Sequence, residues 1–374
     1  MCAVTTRVET GILPGSVLVI GTGLIGTSVA LALREHDVAV WLRDRDPESA
    51  RLAADLGAGS PLPAAGPPDG MADLAVIAVP PAAVGAELAA AQRSGLARSY
   101  TDVASVKELP LENARALGCD LGSYVPGHPL SGRERSGPAA ARADLFVGRP
   151  WVICPQPAND ERSISLVTGL AEACGAQPVA VDSAAHDRWV ALVSHAPHVV
   201  AAAMAARLEQ APTTALALAG QGLRDVTRVA ASGADMWLQI LSANAGPASA
   251  VLRDVAADLA EAANALDSVA AGDDEAIKQV AELLEHGIAG VGRIPGKRGG
   301  PARDFSILQV VIPDRPGELA RLFLAAGDAG INIEDVSIEH SPGLPVGVAE
   351  LWVQPDAVAR LSDVLAAGGW PVRR

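Results

Sequence analysis

The stretch GTGLIG at residues 21–26 places glycine at Gly21, Gly23 and Gly26, with Thr22, Leu24 and Ile25 between them. It follows a β-branched run and leads into an Ala/Leu-rich one. In that setting the turn lets backbone N–H groups approach a pyrophosphate at the positive N-terminus of a helix. About 20 residues on stands Asp44, at a strand end, where a carboxylate accepts hydrogen bonds from an adenosine ribose. The same carboxylate repels a 2′-phosphate, so the cofactor expected is NAD. Arg43 and Arg45 flank it as the groups that would hold such a phosphate instead. Val79, within VIAVPP, ends a further strand where the chain passes beside a bound dinucleotide.

A second chemistry is proton transfer. His128 lies in GHPLSG, and an imidazole titrates near neutral pH, which suits a proton acceptor. A histidine held in a Gly/Pro turn for structural reasons fits the same residues. His195 and His198 are three apart and so share a helix face. Metal binding would need further ligands, and the HExxH spacing with its glutamate is absent, so no metal is expected. Pro197 between them should kink or start a helix.

Positioning such groups calls for a parallel sheet. Residues 17–20, 38–42, 74–79 and 99–103 read as buried strands with helical segments between the early ones. Short runs at 124–125, 151–153 and 179–181 could extend that sheet. The expectation is an N-terminal tail at 1–16 and an α/β Rossmann-like dinucleotide-binding domain at 17–182. From 183 to 289 apolar residues recur at three- and four-residue spacing, with breaks at 220–222 and 232–233 and a long helix over 245–271. An all-α domain this apolar must bury its faces somewhere, and a partner subunit is the natural place, so a homodimer is expected. Residues 290–303, rich in Gly, Pro and basic groups, read as a linker. Beyond it a strand at 305–312, a helix at 318–329, strands at 332–340 and 346–354, a helix at 357–367 and a short strand from Val372 form an α+β unit of βαββαβ order over 304–374.

The composition narrows the function. A net charge of −14 argues against nucleic acid, which needs a basic surface. The four cysteines, Cys2, Cys119, Cys154 and Cys174, show no CxxC pair and suit reduced thiols in a cytoplasmic protein. No secretory leader and no run of about 18 apolar residues is apparent, so neither export nor a membrane span is expected.

The motifs GTGLIGTSVALAL, DVASVK at 102–107, GHPLSGRERSG at 127–137, SHAPH at 194–198, and RDVTRVA at 224–230 with Trp237 stand in one particular order. It resembles the order found in the TyrA family of prephenate and arogenate dehydrogenases, over residues 17–290. The resemblance implies NAD-dependent oxidative decarboxylation of prephenate to 4-hydroxyphenylpyruvate, in tyrosine biosynthesis. Hydride leaves C4 as the 4-hydroxyl becomes a carbonyl, and loss of CO₂ makes the ring aromatic. His128 matches the family's base for that hydroxyl. Arg228 matches its carboxylate-binding arginine, a task suited to a planar fork of donors.

By the same resemblance Ser105 orients the nicotinamide and His128; its residue-level alternative is capping a helix that starts near Val106. His198 contacts substrate, and His195 is structural or supports the residues that contact it. Glu134 and Asp225 join an ion network with Arg228, with ordinary surface carboxylates as the alternative. Trp237 shields the site or packs a helix junction. At Gln221 several relatives have Gly, so side-chain recognition can differ there.

Arogenate, or a 4-amino-4-deoxyprephenate analogue, is the alternative substrate. A β-hydroxyacid dehydrogenase would need a helical-domain lysine, and residues 184–272 contain none. A non-catalytic amino-acid sensor would have lost His128 or Arg228, and both are present. The C-terminal DRPGELARLF…GINIEDVSIEHSP resembles an ACT domain. That implies an amino-acid effector, tyrosine, at Gly317 in the turn opening a helix and at Asn332. A small oligomerisation module without ligand is the other reading.

Overall fold

The computed structural model describes residues 11–68, 70–131, 136–294, 305–340 and 345–373. Cys2, Glu134 and residues 295–303 of the expected linker lie outside them. The chain forms two compact units, Met1–Ala256 and Ala257–Arg374.

The first unit opens with β1 (Ser16–Ile20), α1 (Leu24–Arg34), β2 (Ala39–Arg43), α2 (Pro47–Asp55), β3 (Ser60–Pro61), β4 (Ala72–Ile77), α3 (Pro81–Arg93), β5 (Ala97–Asp102) and α4 (Glu108–Ala116). The strands form a parallel sheet in the order β3-β2-β1-β4-β5. β1 shows why: Val17 and Val19 enter one core with Leu33, Val76 and Trp151, while Leu18 and Ile20 enter another with Ile77, Leu88 and Tyr100. Both faces are covered, so the strand reads as an unbroken apolar run. The strand order reverses between β1 and β4, which opens a crevice at the C-terminal strand ends.

β6 (Gly127–Pro129), β7 (Pro150–Ile153), α5 (Glu161–Ala173) and β8 (Gln177–Ala180) come next. The short runs do not lengthen the large sheet. β6, β7 and β8 make a separate three-stranded sheet, with β6 antiparallel to β7. Tyr124 bridges Tyr100 of β5 in parallel, and Val125 donates to the Tyr100 carbonyl. Pro126 has no N–H to carry that ladder further. The chain leaves β5 there and pairs with β7.

The helical part comprises α6 (Ser183–Val190), α7 (Ala196–Ala206), α8 (Thr213–Leu216), α9 (Gln221–Thr227), α10 (Ala234–Ala243) and α11 (Ala245–Ala270), within which the boundary between the units falls. Gly220 and Gly233 are the N-caps of α9 and α10. Ser183–Ala206 is one helical run, long and apolar enough by composition to cross a bilayer. His186, Asp187, His195 and His198 on it nevertheless bond or stack within the unit. Pro197 does not break this run. The turn before it, Ala191–His195, widens to a π-helix, which accommodates a residue that donates no hydrogen bond and whose ring crowds the preceding turn.

The second unit holds α12 (Ile277–Val291), β9 (Ser306–Pro313), α13 (Glu318–Asp328), β10 (Asp335–His340), β11 (Val346–Val353), α14 (Val358–Ala367) and β12 (Val372–Arg373). Its strands form an antiparallel sheet in the order β10-β11-β9-β12, the ferredoxin-like βαββαβ arrangement. Leu308, Val310, Ile312, Leu322, Leu351 and Leu361 fill its core.

Candidate active site

The glycine turn joins β1 to α1, and the helix starts at Leu24, inside the motif rather than after it. Gly21 has φ +100°, and a Cβ there would lie 2.2 Å from the Ala78 carbonyl oxygen and 3.2 Å from Cγ1 of Val79. A Cβ on Gly26 would lie 1.9 Å from the Gly21 oxygen, whereas one on Gly23 would meet nothing within 4 Å. Gly21 and Gly26 therefore serve close packing, and Gly23 leaves an open cradle. No side chain caps α1, so its first N–H groups remain for an anion. These residues fit a dinucleotide pyrophosphate.

The Asp44 carboxylate accepts hydrogen bonds from the Thr22 N–H at 2.6 Å and hydroxyl at 3.0 Å, and from the Asp46 N–H at 2.9 Å. It thereby ties the end of β2 to the glycine turn. Arg43 is paired with Glu87 at 2.9 Å. A cavity of about 730 Å³ opens beside them, lined by Arg43, Asp44, Pro47, Pro63, Gly66 and Leu96 among others. It suits an adenosine in size.

β5 and the segment after it position the histidine. A Cβ on Gly127 would lie 3.0–3.1 Å from Thr101 Oγ1, the Asp102 oxygen and Trp151 Nε1, so only glycine packs easily here. The fully buried Lys107 donates from Nζ to Asp102 Oδ1 and to the Gly127 carbonyl, both at 2.5 Å. Tyr124 donates to the other Asp102 oxygen at 2.7 Å. His128 is thus held beyond the C-terminal end of β5, half-buried. Its Nδ1 lies 2.9 Å from Nε2 of His186, with the two rings edge to face. His186 Nδ1 in turn lies 2.8 Å from Asp187 Oδ1. Burial, followed by the nearby His186, Lys107 and His195, holds His128 well below the ordinary histidine range, as a neutral base requires.

A second branch leaves Asp187. Its backbone oxygen accepts from Nδ2 of Asn244 at 2.8 Å, and that nitrogen lies 3.1 Å from Nδ1 of the buried His195. His195 meets Trp237 edge-on, and His198 stacks on the indole at 3.7 Å between centroids. His198 Nδ1 and Trp237 Nε1 are buried without a protein partner among the described residues. Burial lowers the pKa of both His195 and His198, against a raising influence of Asp187 on the former.

The structure therefore brings together His128, His195, His198 and Trp237 through Lys107, the last residue of DVASVK, and through three groups that lie outside the motifs: His186, Asp187 and Asn244. Ser105 lies in the loop after β5 and does not cap α4. Asp187 supplies that cap from a distance, accepting the Lys107 and Glu108 N–H groups at 2.8 and 2.9 Å. Arg228 is exposed, in the tight turn Arg228–Ala231, which packs against α7. Asp225 accepts from Gln221 at 2.8 Å, and among the described residues no ion pair joins Asp225 to Arg228. Among the described residues no hydrogen bond or ion pair joins Gln221, Asp225 or Arg228 to the histidine chain, although the segments that carry them pack against α7, which bears His198. Glu134 lies outside the described residues. In the second unit Gly317, at φ +89°, is the N-cap of α13, and the exposed Asn332 reaches Glu334 at 3.4 Å. Among the described residues no group of three potential metal ligands forms.

The chain is similar to known proteins over most of its length. Residues 29–180 match the family model described as "Prephenate dehydrogenase, nucleotide-binding domain", and residues 182–285 match "Prephenate dehydrogenase, dimerization domain". "Probable prephenate dehydrogenase NovF" of Streptomyces niveus is 40% identical over 359 residues, 95% of this chain and 98% of that protein. Cyclohexadienyl dehydrogenase of Zymomonas mobilis is 31% identical, over 67% of this chain and 88% of its own. The crystal structure of prephenate dehydrogenase from Aquifex aeolicus, in complex with hydroxyphenyl propionate and NAD+, superposes with a TM-score of 0.63 at 26% identity. The match covers 75% of this chain and 99% of that one.

Proposed function

The chain belongs to the prephenate dehydrogenase family, and on that footing we propose that it catalyses the NAD-dependent oxidative decarboxylation of prephenate to 4-hydroxyphenylpyruvate. The observation that carries the proposal is His128. It is a half-buried imidazole held neutral by its surroundings, beyond the C-terminal end of β5, in the sheet whose β1 and β4 lead into the glycine turn and Val79. NAD+, when bound, supplies the hydride acceptor. Gly21 to Gly26 would hold its pyrophosphate and Asp44 its adenosine ribose, with Arg43 already engaged by Glu87.

His128 takes the proton of the 4-hydroxyl as the carbonyl forms, and Ser105 helps to orient the nicotinamide and His128. Arg228 holds a substrate carboxylate, with Glu134 and Asp225 as charged neighbours and Gln221 at the rim. His198 and Trp237, stacked on one another, each carry a buried ring nitrogen without a partner among the described residues, and these rings are the proposed substrate contacts. The enzyme acts in the cytoplasm as a homodimer through its helical region. Its division is a Rossmann-like domain at 17–182, a helical domain at 183–289 and a regulatory ACT-type unit at 304–374. Gly317 and Asn332 are proposed to receive tyrosine as effector.

The test is NADH formation by the purified chain given prephenate or arogenate, each with NAD+ or NADP+. Turnover is expected with prephenate and NAD+. In His128→Asn it is expected to fall by about 10²–10⁴-fold, the scale of general acid–base catalysis, with NAD+ binding retained. Absence of NADH from every pairing would refute the assignment.

A further inference from the structure

Behind His128 lie His186 and Asp187, to which the steps above give no part. Asp187 Oδ2 accepts from the Glu108 N–H, and Oδ1 accepts from the Lys107 N–H. A carboxylate so placed can only accept from His186 Nδ1, 2.8 Å away. That nitrogen therefore carries the proton, and in the neutral ring Nε2 of His186 is an acceptor. The 2.9 Å contact to His128 Nδ1 then requires a proton on Nδ1 of His128. Its Nε2 is left with a lone pair and no protein partner among the described residues.

We propose that His186 and Asp187 form a positioning relay that fixes His128 as its Nδ1–H tautomer and takes over the charge when His128 accepts a proton. The inference rests on the reading of His128 as the base for the 4-hydroxyl. In the step, the substrate O–H bond breaks and a bond forms from that proton to His128 Nε2. The Nδ1–H bond of His128 breaks and that proton passes to His186 Nε2. The C–H electron pair leaves with the hydride, and Asp187 keeps its bond to His186 Nδ1–H. The positive charge then faces a carboxylate. On His128 it would instead face the Lys107 ammonium, with His186 and His195 also adjacent and Asp102 engaged by Lys107. After product leaves, the protons return along the same path and one departs to water from the exposed edge of His128.

The relay predicts a signature in the full-length wild-type chain labelled with 15N-histidine. At pH 8 His128 should show a protonated Nδ1 and a bare Nε2; the reverse tautomer would overturn the proposal whether or not prephenate is turned over. In kinetics, His186→Leu should lower kcat roughly a hundredfold or more, within the range of acid–base effects, with KM and NAD+ affinity within about twofold. His186→Gln, whose amide oxygen can accept from His128 but cannot take a proton, should recover part of the loss and keep the Nδ1–H tautomer. An unchanged kcat in His186→Leu, or a Gln variant no better than Leu, would overturn the relay. If the Leu variant does not fold, the wild-type and Gln spectra still decide. Wild-type inactivity on prephenate would defeat the proposed function alone, because the tautomer is read without substrate.

Discussion

His128, His195 and His198 all sit where burial disfavours the charged ring, and each is held below its ordinary range. In the unfolded chain they take up protons near pH 6.5. Between that pH and their lower native values the unfolded state binds more protons than the native one. Stability is therefore full above about pH 6.5 and falls as acid is added, by up to roughly 1.4 kcal/mol per pH unit for each imidazole that stays neutral in the fold. Glu108, raised by burial and then by Asp187 and Asp182, acts in the opposite sense only at lower pH, nearer its own range. Thermal midpoints at pH 7.5 and 5.5 should differ by several degrees, lower in acid; equal midpoints would show that these rings protonate freely in the native state. At this scale the sequence was legible where backbone geometry demands a residue type. Gly21 and Gly26 cannot carry a Cβ, and the motif announces them. The role of His186 and Asp187 was not legible. Their partners lie 58 residues away for His128 and 80 for Lys107, and an adjacent His-Asp pair near a helix start is ordinary. Ser105 illustrates the converse: its position suggests a cap, but Asp187, brought in by the docking of α6, fills that place.

Among elements, the joint between β5, α4 and β6 fixes the base. Lys107 neutralises Asp102 and grips the Gly127 carbonyl, so one buried ammonium holds the strand end and the histidine strand together. Removing one partner of a buried pair leaves the other charge uncompensated, at a cost of about 3–5 kcal/mol. Lys107→Met should therefore lower stability by that amount in denaturant titration and also depress kcat, since β6 loses its anchor. A variant as stable as wild type would mean that Asp102 is satisfied without Lys107. The strands of the large sheet were legible because unbroken apolar runs mark strands covered on both faces. The second sheet was not. Its runs look alike in sequence, and only the missing N–H of Pro126 turns the chain from β5 to β7. The π-turn before Pro197 was half legible: a proline there demands an adjustment, but not whether the helix breaks, kinks or widens.

For the whole molecule the question is what covers the helical faces. The nucleotide-binding and dimerization family models meet between residues 180 and 182, where the strand pattern gives way to the helical one. On α12, Leu284, Ile288 and Val291 fall at i, i+4 and i+7, one stripe, and are 63%, 74% and 69% exposed in the single chain. Fully burying such a side chain contributes about 1.5–3 kcal/mol, so two of them in each protomer contribute enough to decide between monomer and dimer at micromolar concentration. Light scattering should give twice the 38.0 kDa chain mass for the wild type. Leu284→Asp with Ile288→Asp should weaken the dimer by at least a hundredfold, because each 1.4 kcal/mol is a factor of ten, and shift the mass toward that of one chain. The far-ultraviolet circular dichroism should hold, since neither side chain lies in a core of the folded protomer. A double variant that stays dimeric at the same dilution would place the interface on another face of the helices, such as the one carrying Leu192 and Val193.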